Sequence, residues 1–273
     1  MEKKEIIIII LLFIVIGFLI YMFNNFSSNM EIYFFNAGKA DAILVSHNNH
    51  YFMIDTGEES LKEEILDYFK ENNITKLDYL IITHFDKDHV GSASHIINNI
   101  EIGEVLQSNT TKDSEYYKKY LQALQNKKII PKTILGDYLI SLDNLKICVN
   151  GPDKIYESNE SNNSSLIVSI TNYYNNFLFM GDSENARIKD YLNDHREVYD
   201  FVKIPYHGHT LKRLDDLLEV VKPTYAVITC SNSSGASKET LELLKEYHVN
   251  YYLTKNGSVM VFSDGKSIQI RYI

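Results

Sequence analysis

The stretch LIITHFDKDHVGS, residues 80–92, decides how the rest of the chain is read. An apolar, strand-like run ends at Thr83, and His84, Asp86, Asp88 and His89 follow directly. At the end of a strand, imidazole and carboxylate donors can converge on a metal ion, and a helix starting near Gly91 would fix the loop's exit. Nitrogen and oxygen donors without thiolate suit Zn²⁺, with Mn²⁺ or Fe also compatible. A D-K-D turn alone is an ordinary solvated turn, but two histidines bracketing it after an apolar strand point away from that reading.

Two later segments repeat the arrangement. NFLFMGDS, residues 176–183, ends a strand at Gly181 and presents Asp182. FVKIPYHGH, residues 201–209, ends another and presents His207, with His209 nearby. Singly, a G-D pair is a common turn and a lone histidine a common loop residue. Their order gives them weight: ligand-rich loop, then G-D, then P-x-H-G, each directly after an apolar strand.

Around these segments, strand-like runs and one-sided helices alternate from about residue 30 to the C-terminus, without repeats or low-complexity breaks. Strands are expected at 30–35, 42–46, 51–55, 79–83, 104–108, 146–150, 165–171, 176–181, 201–204, 224–229, 251–254, 258–263 and 266–271. Helices are expected at 60–70, 92–97, 114–126, 185–193, 211–220 and 238–247. Mixed strands flanked by one-sided helices predict one α+β domain over 30–273, two sheets face to face with helices outside, an αββα four-layer sandwich.

The N-terminal stretch differs in kind. IIIIILLFIVIGFLIYMF, residues 6–23, carries no charge and approaches the length needed to cross a bilayer. Lys3 and Lys4 precede it, and the next basic residue is Lys39, so the positive-inside bias keeps the N-terminus cytoplasmic and the domain outside. A cleaved secretory signal is the rival, but NNFSSNMEI offers no small-residue cleavage site. The expectation is a single-pass cell-membrane protein: residues 1–29 form cytoplasmic end, anchor and linker, and the catalytic domain is extracytoplasmic.

Formal charge is −9, and no block of Lys or Arg occurs, which argues against a stable or processive nucleic-acid complex. Two bound divalent ions would add about four positive charges locally, so net charge and local field can differ. The cysteines Cys148 and Cys230 read as buried small hydrophobes, with neither a disulfide framework nor a thiolate metal motif.

The pattern T-H-x-D-x-D-H-x-G, then G-D, then H-G, resembles the metallo-β-lactamase superfamily. FFNAGKADAILV (34–45), MIDTG (53–57), NNSSLIVSI (162–170) and YAVITCS (225–231) extend the resemblance across nearly all of 32–265. Within it, the hydrolase domain of ComEC-type DNA-uptake proteins is most similar, since its motif also has Asp at the place of Asp86. The resemblance implies two divalent ions: His84 and Asp86 on one, Asp88, His89 and His207 on the other, Asp182 bridging. It makes Asp55 the buried carboxylate that orients the ligand loop, with Asp41 retained behind the site. Asn36, Ala37, Lys39, Ala40, Tyr206 and His209 depart from the family pattern. The NNSS segment stands where most relatives have a third histidine, so Asn163 or Ser164 is expected to support a weaker first site or to leave it only partly occupied.

Two cations about 3.5–4 Å apart bring the pKa of a bridging water towards neutrality and stabilise an oxyanion. Hydrolysis is therefore the expected reaction, with Asp88 or Asp182 holding the water's proton and Lys39, Tyr206 and His209 contacting substrate. The resemblance favours a phosphodiester, such as extracellular single-stranded DNA, over carboxylic esters or lactams. A non-catalytic surface domain is the alternative from another class, disfavoured by the complete ligand set.

Overall fold

The computed structural model describes residues 9–17 and 29–273. Most of the expected membrane span, 6–23, lies outside the described residues. Of it, positions 9–17 form a helix, α1. Among the described residues no helix is long and apolar enough to cross a membrane.

From residue 30 onward the chain runs β1 Met30–Phe34, β2 Ala42–His47, β3 His50–Thr56, α2 Lys62–Glu71, β4 Lys76–Ile82, α3 Lys87–Val90, α4 Ala93–Asn99, β5 Glu101–Gln107, α5 Glu115–Lys127 and β6 Lys132–Thr133. It continues with β7 Gly136–Leu142, β8 Leu145–Gly151, β9 Ile167–Asn172, β10 Asn175–Phe179, α6 Asn185–Asp194, β11 Phe201–Lys203, α7 Leu214–Val221, β12 Tyr225–Ile228, α8 Lys238–Glu246, β13 Asn250–Leu253, β14 Val259–Ser263 and β15 Ile268–Tyr272. One sheet has the order β15-β14-β1-β2-β3-β4-β5-β6, the other β13-β12-β11-β10-β9-β8-β7.

Period-two alternation builds the layers. In β1, Met30, Ile32 and Phe34 enter the core between the sheets, while Tyr33 turns to the outer layer of α2, α4 and α5. In β10, Phe177 and Phe179 face the inter-sheet core, and Leu178 faces the layer of α6, α7 and α8. Three apolar cores between four layers give the αββα sandwich.

Each expected helix is present within a few residues of its expected ends. The edge strands β6 and β7 were not foreseen from sequence; β7 alternates exposed Asp137, Leu139 and Ser141 with less exposed neighbours, so its apolar signal is diluted. Cys230 is buried, but Cys148 is only partly so, because the edge position of β7 leaves its neighbour β8 less covered.

Topology positions the site. β3, β4 and β5 are parallel, as are β10, β11, β12 and β13, and the loops leaving these strands meet at one end of the sandwich. A backbone bond from Leu166 N–H to Thr83 O, 2.9 Å, joins the two sheets there.

Candidate metal centre

β4 is buried at its exit, and the chain turns through Thr83 and His84 into the single helical turn of α3. That turn puts Asp88 and His89 in register beside His84. Gly91 allows it to pack: a Cβ there would lie 2.5 Å from Lys87 O and 2.6 Å from Glu59 N, both backbone. Asp182 leaves β10, and His207 leaves β11 in a turn where Tyr206 and His207 take φ of 50° and 52°. Two consecutive left-handed non-glycine residues are costly, and such strain persists where surrounding structure imposes it.

The six expected ligands meet in one place. Asp182 Oδ2 lies 3.3 Å from His89 Nε2 and 3.1 Å from His207 Nε2. Asp88 Oδ2 is 3.6 Å from His207 Nε2, and Asp86 Oδ1 is 3.8 Å from His84 Nε2. Donor atoms of His84, His89 and Asp182 all fall within 4.8 Å of one another, as do those of Asp88, His89 and His207.

Each imidazole is held from behind. His89 Nδ1 is 2.7 Å from Asp55 Oδ2. His207 Nδ1 is 3.1 Å from both Thr229 O and Thr229 Oγ1. His84 Nδ1 lies 3.2 Å from Thr83 Oγ1 and 3.4 Å from Ser165 Oγ. The opposite atoms, His84 Nε2, His89 Nε2 and His207 Nε2, together with Asp182 Oδ1, are buried and have no hydrogen-bond partner. Buried polar atoms without partners are costly, and the three imidazole nitrogens, gathered around Asp182, are what divalent ions would satisfy. The imidazole and carboxylate donors fit Zn²⁺, Mn²⁺ or Fe.

Electrostatics follow from this crowding. Burial, with His89 beside it, pulls the His84 imidazole down to about 3, which leaves it neutral with a free lone pair. Burial also acts against a charge on His89 and His207, but Asp182, with Asp55 for the first and Asp88 and Asp41 for the second, overrides it and raises both. Burial works to raise Asp88, yet His207 and His89 hold it well below the usual carboxylate range.

Asp41 lies behind the centre, where Thr229 Oγ1 donates to its Oδ1 at 2.5 Å. Its other oxygen is ion-paired with Lys203, which is not among the residues expected from the sequence motifs. Lys203 is fully buried; its Nζ donates to Gly181 O at 3.0 Å and lies 3.7 Å from Asp182 Oδ1. A lone cation inside the apolar strand FVKIP was the available signal.

The NNSS segment contributes differently from expectation. Asn163 Oδ1 accepts from the Arg187 backbone N–H at 3.1 Å, and Ser164 Oγ donates to Ser161 O at 2.5 Å, so neither side chain is turned to the ligands. Their neighbours make the contacts: Ser165 Oγ lies near His84 and accepts from Asp182 N–H at 3.2 Å, and Ser161 Oγ donates to Asp86 Oδ1 at 2.7 Å. The segment's short 3-10 turns rotate Asn163 towards α6. Lys112, in a polar loop with no distinguishing pattern, also donates to Asp86 Oδ1.

Lys39, Tyr206 and His209 gather at one edge. Lys39 Nζ is 5.8 Å from the Tyr206 ring centre, and the Tyr206 and His209 rings are 4.9 Å apart. Burial and the Lys39 charge lower His209, keeping it neutral at pH 7.

Comparison with known proteins agrees with the fold. The chain is 22% identical over 265 residues to ComE operon protein 3 of Bacillus subtilis, covering 89% of this chain and 34% of the relative. It is 23% identical over 222 residues to recombination protein 2 of Haemophilus influenzae, covering 79% and 26%. The chain thus spans about a third or less of these relatives' lengths. Among solved structures, YhfI of Bacillus subtilis superposes with a TM-score of 0.57 at 9% identity, covering 89% of this chain and all of that one. Igni18 from Ignicoccus hospitalis, a metallo hydrolase, gives 0.54 at 14% identity over 90% of this chain and 100% of its own. CmlA, a diiron β-hydroxylase from Streptomyces venezuelae, gives 0.52 at 12% identity over 90% of this chain and 54% of its own. The metallo-beta-lactamase superfamily profile matches residues 36–231. With that match over most of its length, the chain belongs to the metallo-beta-lactamase superfamily.

Proposed function

We propose that the protein is a phosphodiesterase or nuclease with two divalent ions, zinc or manganese, held outside the cell on an N-terminal membrane anchor. The observation that carries the metal reading is the set of three buried, partnerless imidazole nitrogens gathered around Asp182 and Asp88. His84 and Asp86 would hold one ion, Asp88, His89 and His207 the other, with Asp182 between. Asp55, Asp41 and Thr229 fix the ligands from behind. Once bound, the ions would supply Lewis acidity to activate water and to stabilise charge on the attacked group.

The protein's own residues do the rest. Asp88 stays ionised at neutral pH, so it, or Asp182, can hold and orient the proton of the attacking water. Lys39 and Tyr206, which lie close together, would contact an anionic substrate, and the neutral His209 beside them would offer an N–H to its oxygens. The motif's resemblance to the hydrolase domain of ComEC-type DNA-uptake proteins supports phosphodiesters over other esters, and similarity to ComE operon protein 3 and recombination protein 2 is consistent with that resemblance. The charged residues Lys3 and Lys4 ahead of the apolar stretch support the outward orientation.

The test is turnover by the full chain, purified in mild detergent and loaded with Zn²⁺ or Mn²⁺. A bis-aryl phosphodiester and single-stranded DNA are offered beside an aryl carboxylic ester and a chromogenic lactam. Phosphodiester cleavage abolished by chelator is expected. Cleavage of the ester or lactam alone would overturn the substrate assignment, and no turnover of any of them the catalytic one. For orientation, externally added protease should reach the domain in intact spheroplasts.

A further inference from the structure

Lys112 enters the centre from the loop between β5 and α5, with its side chain partly exposed. Its Nζ donates to Asp86 Oδ1 and, at 3.2 Å, to Ser161 Oγ. Ser161 Oγ in turn donates to the same Asp86 oxygen at 2.7 Å. A carboxylate oxygen offers about two lone-pair directions, so both on Oδ1 are taken. Yet Oδ1 is the Asp86 atom 3.8 Å from His84 Nε2, the pair that would share the first ion. The other side of the centre is unlike this: Asp88 Oδ2 and Asp182 Oδ2 are turned to imidazole nitrogens.

We propose that Lys112 is a built-in competitor for the first metal position, which fills only as its ammonium releases Asp86, and that an anionic substrate oxygen is what draws it away. The proposal rests on the metal-centre reading above. It makes the two positions unequal: the ion held by Asp88, His89 and His207 binds first and stays. The second ion and the anionic substrate load together, because the exposed end of Lys112 can exchange one negative oxygen for another at the rim. A substrate without negative charge leaves Lys112 on Asp86 and the first position weak.

The experiment is a metal titration that needs no turnover. The full chain in mild detergent is stripped with chelator and titrated with Zn²⁺, and in parallel with Co²⁺, whose visible spectrum distinguishes the two positions. Wild type should take one equivalent tightly and a second at least about tenfold more weakly. Lys112→Met should strengthen the second equivalent by about tenfold, the least that a hydrogen bond to a charged group is worth, and leave the first unchanged. Lys112→Arg, which keeps the cation, should behave as wild type. Inorganic phosphate should strengthen the second equivalent in wild type but not in Lys112→Met. Two equal equivalents in wild type, or an unchanged second constant in Lys112→Met, would overturn the proposal while leaving the metal centre standing. No uptake of metal by any variant would remove both.

Discussion

Asp55 Oδ2 stands 2.7 Å from His89 Nδ1 and accepts from Thr83 Oγ1 at 2.6 Å, while Asp55 Oδ1 takes the Thr83 backbone N–H at 2.7 Å. One carboxylate thus ties the end of β4, the start of the ligand loop and a ligand imidazole into a single unit. Asp55 itself sits at φ 55°, a left-handed backbone held by these bonds.

Replacing Asp55 with Asn removes one acceptor from that unit and puts an amide N–H against His89 or Thr83. Metal affinity should fall by about 10- to 100-fold, the usual consequence of losing a partner behind a ligand histidine. Competition against a chromogenic chelator measures it, and an unchanged affinity would show that His89 needs no such support.

Metal and pH should act on stability in opposite directions. In the metal-free protein His89 and His207 are raised above their ordinary value by neighbouring carboxylates. Their contribution is fully present below about pH 6.5, the unfolded value, and is lost as pH rises through the raised folded values. The metal-bound protein needs both imidazoles neutral, so its stability should increase over the same interval as protons are released. Thermal melts from pH 6 to 9, with and without Zn²⁺, should therefore diverge with pH; parallel curves would contradict the assigned ligands.

Lys203→Met leaves Asp41 as a buried carboxylate without its cation. A cost of about 3–5 kcal/mol is expected in urea denaturation, as for other broken buried pairs. Adding Asp41→Leu should recover part of that loss, because the stranded charge goes too. A single mutant as stable as wild type would mean that the pair contributes nothing.

Gly91→Ala brings a Cβ against three backbone atoms, Lys87 O, Glu59 N and Gly57 O, at 2.5–2.7 Å. None can yield as a flexible side chain would, so α3 must shift and carry Asp88 and His89 with it. The expected destabilisation is about 1–3 kcal/mol, with weakened metal uptake. Retention of full metal content would show that the ligand turn tolerates displacement.

The convergence of the candidate ligands is legible in the sequence because four of them fall within one loop and the others follow apolar strands, so local order stands in for space. The layers were legible for a similar reason: Phe177 and Phe179 on one face of β10 against Leu178 on the other is a pattern readable residue by residue. Lys203 and Lys112 were not. Lysine is overwhelmingly a surface residue, so Lys203 is set apart only by the apolar strand FVKIP around it, and nothing local separates Lys112 from the other lysines. Asn163 and Ser165 show the same limit at finer scale: the segment was found, but which side chain faces His84 depends on a backbone turn. The edge strand β7 escaped because partial exposure blurs alternation.

Strand β14 pairs with β1, Phe34 opposite Val259 and Met30 opposite Ser263. On the ribosome, at roughly 5–20 residues per second, β1 therefore waits on the order of ten to fifty seconds for this neighbour to be made. Until then one of its hydrogen-bonding edges is open to any passing strand, a recognised route to aggregation. A translational pause ahead of residue 259 would lengthen that exposure, so the yield of active enzyme in a foreign host should depend on how quickly the final hairpin is delivered.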